Sequence, residues 1–449
     1  MSLAYLHDDV LAELFTYLSA RDACRLSLTS KQIHPIAMQR AWSVVIIRRC
    51  ARIQGVCEAM LKKPASRIAY LRELRVDSDA LWGADKNVYS QLVKVIQHPL
   101  ALKLRVLQLG NVAQLLVDFP SLVFVLASLS ELIHLELERA GQNALSMIQR
   151  LSARPRTLRI DFSGDQNNAI VPPSLLSIDS FWPSLLHLSI LSLNEPIKTF
   201  ARAFPNIRRL QVTSAYSFSS PLGQSPCWTS LEFLDAGTAN TSLVRAVKCL
   251  VRHSMLDIVR CTDHGSSMIS VVRGTNPVVL SLSLGMQRTP GIWGQLVDVG
   301  QRLRYLILVI KPDPLFTTQE FIEALGTWKP DVSTILGTSQ IVCIRVRVTF
   351  VVDPVRDAFR DLPEHLLDAI PTLRYVAMDM PEHNFPTQEW YDDSYDGHES
   401  CGSWWRVEAI DSKRSLVPVP IEVGEAVDGY LKSARFESSL DFVDPFLPS

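Results

Sequence analysis

One short pattern returns along almost the whole chain: L-x-x-L-x-[LVI]. It reads LRELRV at 71, LRVLQL at 104, LIHLEL at 132, LLHLSI at 185, IRRLQV at 207, LEFLDA at 231, LRYLIL at 303 and LRYVAM at 373, with weaker copies centred on Leu158, Ile258, Leu282 and Ile344. Residues two apart point to the same face of a β-strand, so each copy predicts a short strand with one buried face. From Leu188 onward the central residues fall at 210, 234, 258, 282 and 306, a first step of 22 residues and then steps of 24. Elsewhere the steps stretch, to 33 between Leu74 and Leu107 and to 38 between Leu306 and Ile344, which implies inserted loops or unequal helices. A unit of about 20 to 30 residues cannot bury its own apolar face and must stack on its neighbours, so the pattern confines the body of the chain to a serial array.

Between the strands lie stretches with helical periodicity. Thr241 can cap a helix whose apolar face is Leu243, Val244, Val247, Leu250 and Val251, and Ala144 to Leu151, Ile197 to Phe204, Ile292 to Val299 and Phe321 to Leu325 are similar. Strand and helix alternate, which places the chain in the α/β class. The spacing resembles leucine-rich repeats. That resemblance implies an irregular solenoid over 43–415, with parallel strands inside and helices outside, and a C-terminal tail or cap over 416–449. The asparagine that usually follows such a strand is absent at Val112, and Asn111 and Asn194 each lie one place away, so irregular curvature is expected.

The first 42 residues follow a different rule. In LHDDVLAELFTYLSARDACRLSLTSKQIHPIA, from Leu6, Asp8 or Asp9 can cap a helix running to about Leu18. Its residues Val10, Leu11, Leu14, Phe15, Tyr17 and Leu18 cover an apolar arc wider than one core contact requires. Ser19-x-x-Asp22 reads as a variant capping box for a second helix, Ala20 to Thr29, apolar nearly all round and so expected in the middle of the bundle. Pro35 suits the first position of a third helix, Ile36 to Trp42, and Trp42-Ser-Val-Val-Ile-Ile reads as an edge strand. Three helices this small cannot enclose the apolar surface they carry, so something else must cover the excess.

The spacing Leu-x(3)-Val-Leu-x-x-Leu-Phe-x-x-Leu-Ser-x-x-Asp-x-x-x-Leu-x-Leu-x-Ser-Lys, from Leu6 to Lys31, resembles an F-box. In that family a three-helix unit docks on a Skp-type adaptor, which bridges it to the cullin scaffold of a ubiquitin ligase. Carried over position by position, the adaptor-binding residues are Leu6, Val10, Leu11, Leu14, Phe15, Leu18, Leu26, Leu28 and Ile33. One departure is that Leu6 is followed by His7 where the family usually has proline, which loosens the start of the first helix and bears on affinity more than on mode. Divergent repeats behind an F-box resemble the substrate receptors abundant in fungi, as do CGSWWRVEAI from 401 and VGEAVDGYLKSARFE from 423.

Composition excludes binding by bulk charge. The chain has 45 Lys and Arg against 46 Asp and Glu, a net charge of −1, so neither nucleic acid nor an anionic membrane is expected as partner. The longest apolar stretch, Phe119 to Leu129, is half of the roughly 20 residues a spanning helix needs. The eight cysteines form no C-x-x-C pair, which fits neither a disulfide framework nor a zinc site and suggests buried thiols in a reducing compartment. No secretory leader is recognisable and Asp8-Asp9 is wrong for a mitochondrial one, so a cytoplasmic and/or nuclear location is expected.

No catalytic, cofactor or metal residues emerge. The sequence lacks G-x-S-x-G, G-x(4)-G-K-[ST], H-E-x-x-H and a strand-linked G-x-G-x-x-G. The nearest miss is DDSYDGHESCGS, Asp392 to Ser403, the first half of a calcium loop whose twelfth position is Ser403 in place of the bidentate glutamate. The residues flanking each central leucine should face the hollow of the solenoid, where Phe233, Tyr305 and Tyr375 among charges of both signs suit a protein partner. The reading is therefore a non-enzymatic substrate-recognition subunit of a cullin–RING ubiquitin ligase, with its target unidentified. Two alternatives are an interaction scaffold without ubiquitin transfer and a hydrolase or metal-dependent enzyme built on the repeats.

Overall fold

A computed structural model of the chain describes residues 6–163, 182–192, 198–213, 228–238, 247, 249–257, 266–285, 292–311, 317–349, 353–380, 402–410 and 413–444. They fall into two compact units, Met1–Glu195 with Thr199–Ile207, and Pro196–Lys198 with Arg208–Ser449. The class is mixed α/β.

The first unit opens with α1 (Asp8–Thr16), α2 (Ala20–Leu26) and α3 (His34–Ser43). Six parallel strands follow among its described residues: β1 (Val44–Ile47), β2 (Glu73–Val76), β3 (Val106–Leu109), β4 (His134–Leu137), β5 (Thr157–Asp161) and β6 (His187–Leu191). Val45, Leu74, Leu107, Leu135, Leu158 and Leu188 stand in one cross-strand row and are buried, as the repeated pattern predicts. The connections carry α4 (Cys50–Lys62), α5 (Lys86–Ile96), α6 (Val112–Asp118), α7 (Leu122–Ser128) and α8 (Gln142–Gln149), whose apolar faces complete the core. α5 shows why these segments are helical. Asp85 caps it by accepting from the N–H groups of Asn87 and Val88, and Tyr89, Leu92, Val93 and Ile96 recur at helical spacing on its buried side.

The missing asparagine ladder has a backbone replacement. The N–H of Gly110 donates to the Val76 carbonyl, that of Glu138 to Leu109, and that of Val112 to Glu138, so each turn is satisfied by the next. Gly110 is obligatory there, because a Cβ would lie 2.2 Å from the Ser78 backbone. Asn111, displaced by one place, adopts a left-handed φ of 47° and donates to the Tyr89 hydroxyl at 2.9 Å, which itself donates to the Leu81 carbonyl.

In the second unit β7 (Arg209–Thr213), β8 (Leu231–Thr238), β9 (Val251–Asp257), β10 (Val279–Gly285), β11 (Tyr305–Lys311), β12 (Cys343–Val348) and β13 (Tyr375–Asp379) are parallel. Here the even 24-residue ruler is corrected. The row runs Leu210, Leu234, Ser254, Leu280, Leu306, Ile344, Val376, so Ser254 and Leu280 hold the places assigned to Ile258 and Leu282. Slips of four and of two residues both keep every side chain on its own face, and Leu280, Leu282 and Leu284 alternate, so the pattern cannot tell these registers apart; Ile258 itself lies outside the described residues. The helix expected over Thr241 to Val251 is likewise corrected at its described end. Val247 forms a parallel bridge to Trp228 and Val251 begins β9, since apolar residues two or four apart satisfy a strand as well as a helix.

The parallel order ends at β13. β14 (Gly402–Ile410) and β15 (Lys413–Val419) join antiparallel, and α9 (Ile421–Leu431) and α10 (Ala434–Ser439) then fold back onto the sheet. Val427, Leu431 and Phe436 from these two helices form one buried cluster with Val279, Tyr305, Ile307, Cys343, Tyr375, Ala377 and Trp404. This corrects the expectation that Tyr305 and Tyr375 face a hollow as anchors for a partner: both are core residues beneath the chain's own C-terminal helices.

Candidate functional site

The N-terminal helices are built from local rules with two departures. Helix α1 starts with His7 as its N-cap and no side-chain cap, because the Leu11 N–H bonds the His7 carbonyl and draws the aspartates into the first turn. The Ser19/Asp22 box forms as the spacing predicts. The Asp22 N–H donates to Ser19 Oγ at 3.1 Å, and that hydroxyl donates to Asp22 Oδ2 at 2.7 Å. Arg40 Nε of α3 reaches back to the Leu18 carbonyl at 3.0 Å, satisfying an acceptor past the end of α1.

α2 does not lie in the middle of the bundle. Ala23 is its buried residue, while Cys24 is exposed and Leu26 half-buried. Alanine and cysteine carry little apolar volume, and Arg21, Asp22 and Arg25 hold the rest of the surface in water, so α2 lies on the outside.

The core of the bundle is Leu11, Phe15, Ala23, Ile33 and Ala37, with Leu6, Leu18, Leu26, Ile36 and Ala41 packed at its margin. The nine nominated residues therefore separate. Leu11, Phe15 and Ile33 are interior, and Leu6, Leu18 and Leu26 are half-buried. Val10 at 47%, Leu14 at 44% and Leu28 at 83% remain exposed, and Tyr17, not nominated from the sequence, joins them at 79%. Val10, Leu14 and Tyr17 stand at i, i+4 and i+7, one stripe along α1. That spacing was the available signal for Tyr17. Interior residues hold the three helices together, and the stripe is left as an uncovered apolar ledge.

Elsewhere the polar groups serve the fold. His253 Nε2 and Ser281 Oγ are 2.8 Å apart, both buried, and burial lowers the His253 pKa to about 3, so the ring is neutral. Arg345 is buried with its guanidinium on Asp379 at 2.7 and 3.2 Å and on Glu425 at 2.8 Å. The Asp428 carboxyl, facing Lys432 and Arg345, is held well below the usual carboxylate range despite burial that acts the other way. Among the described residues no cluster of three or more His, Cys, Asp or Glu side chains is placed to hold a metal ion. The loop read against a calcium site lies outside the described residues up to Cys401. No described helix is long and apolar enough to cross a membrane.

Comparison with known protein families matches residues 3–39 to the F-box domain. No curated protein matches the chain. The chain thus carries an F-box domain at its N-terminus, the kind of unit that binds Skp-type adaptors in SCF ubiquitin ligases.

Proposed function

We propose that this chain is a substrate-recognition subunit of an SCF-type cullin–RING ubiquitin ligase. The ledge of Val10, Leu14 and Tyr17 docks on the Skp-type adaptor, together with the exposed Leu28 and the half-buried Leu6, Leu18 and Leu26 at the margin of the bundle core. The observation that carries this reading is an F-box whose own core is closed by Leu11, Phe15 and Ile33 while an apolar stripe stays in water. Covering such a side chain fully is worth roughly 1.5–3 kcal/mol, so a handful yields a stable contact after association costs.

The body is read as a divergent leucine-rich-repeat-like array that holds a protein target, and it supports this role by its row of buried leucines on parallel strands. The receptor contributes proximity and no catalytic group: bringing a target beside a ubiquitin-charged enzyme lowers the barrier by several kcal/mol. The test is co-elution of the purified chain with a Skp-type adaptor and cullin. Binding to neither removes the proposal, and binding to the adaptor without cullin favours a scaffold role.

A further inference from the structure

Three arginines at the junction of β1 and α4 are not used by the fold. Arg48, Arg49 and Arg52, together with Ile46, line one cavity of about 360 Å³ in the first unit. None of the three guanidinium groups makes an ion pair or hydrogen bond among the described residues, although the Arg48 charge acts at longer range on the Asp77 carboxyl. Other arginines of the same unit are spent on structure. Arg40, Arg72 and Arg154 bond backbone carbonyls, and Arg75 and Arg159 pair with Glu73 and Glu136.

A cavity that gathers three unpaired cations beside a half-exposed isoleucine has a definite complement. We propose that it binds an acidic segment of a protein partner, an apolar residue followed by a short run of Asp or Glu, with the apolar side chain on Ile46 and the carboxylates on Arg48, Arg49 and Arg52. Guanidinium groups take carboxylates in bidentate fashion, and arginine loses little hydration in doing so. The volume, on the order of ten water-sized groups, exceeds what one isolated oxyanion needs and suits several side chains from one segment. Arg48 and Arg49 lie between the end of β1 and the start of α4, and Arg52 lies in the first turn of α4. This names the chemistry of the target under the receptor reading, while the binding itself does not depend on adaptor docking.

The experiment is fluorescence anisotropy on the full chain with a labelled peptide of one isoleucine followed by five glutamates. Its counterparts carry five glutamines, carry a single phosphoserine among glutamines, or are replaced by a single-stranded oligonucleotide. The glutamate peptide binds at least tenfold tighter than the glutamine peptide, and raising salt weakens it. Combined Arg48→Gln, Arg49→Gln and Arg52→Gln abolishes that preference with the melting temperature unchanged, whereas Arg105→Gln with Arg156→Gln, two exposed arginines outside the cavity, keeps it. Equal binding of the two peptides, an unaffected triple variant, or a tenfold preference for the phosphoserine peptide or the oligonucleotide overturns the inference. Adaptor co-elution is read separately, so its failure and this one are distinguishable.

Discussion

The Tyr305 hydroxyl donates to Asp428 Oδ1 at 2.5 Å, joining strand β11 to a helix 123 residues further along the chain. Both groups are buried, and the same carboxylate lies 3.4 Å from Arg345 Nη1 and 2.9 Å from Lys432 Nζ. Around this contact the apolar faces of α9 and α10 close over the sheet. Asp428→Ala leaves Tyr305 and Arg345 short of a buried partner and lowers stability by roughly 3 kcal/mol, while Tyr305→Phe costs about 1 kcal/mol. Urea unfolding of the second unit, followed by tryptophan fluorescence, gives both values.

Acid acts on the same region through two groups in sequence. His253 has its folded pKa lowered to about 3, against an unfolded value near 6.5. Its contribution is fully present above the unfolded pKa. It is lost at about 1.4 kcal/mol per pH unit as pH falls from 6.5 toward 3, because only the unfolded chain takes up the proton. Asp428 behaves alike in a lower window: its folded pKa is depressed, so its contribution is present above the ordinary carboxylate range and is lost progressively as pH falls below that range toward the depressed folded value. His253→Gln should flatten the slope between pH 6.5 and 4.5 and leave the loss below pH 4 in place, as read from urea midpoints across pH.

Gly424 of α9 lies against the indole of Trp404, where an added Cβ would be 2.2 Å from the ring. The ring is buried and held in place by Arg345, whose guanidinium carbon is 5.2 Å from its centroid. Gly424→Ala therefore forces the helix off the sheet and costs on the order of 1–3 kcal/mol. Near-UV circular dichroism should show altered tryptophan packing, and the same substitution at Gly429, where nothing lies within 4 Å, should not.

At the N-terminus, burial separates two leucines three residues apart. Leu14→Asp adds a charge to the exposed ledge and should abolish adaptor co-elution with the melting temperature unchanged. Leu11→Ala opens a cavity in the bundle core and should lower its stability by roughly 2–5 kcal/mol, so binding falls there through unfolding. Equal effects of the two on thermal stability would contradict the division between core and ledge.

The positions of the strands were legible because burying one face of a strand demands a two-residue alternation, and the copies at 71, 104, 132, 185, 207, 303 and 373 all lie on observed strands. The capping box at Ser19 was legible for a similar reason, since both partners are three residues apart. Contacts between distant residues were not. The register across β9 and β10 and the covering of Tyr305 and Tyr375 each depend on packing that local periodicity does not encode.

The sequence by itself determined an F-box-like helical start and a serial α/β body, because amphipathic spacing is a short-range demand that each segment must satisfy where it stands. Tertiary structure alone decided which leucines of α1 are core and which are ledge, and that the last two helices occupy a face the strands would otherwise leave open. An apolar side chain reads the same in a sequence whether its own chain or another molecule covers it, and only the folded arrangement of neighbours settles which it is.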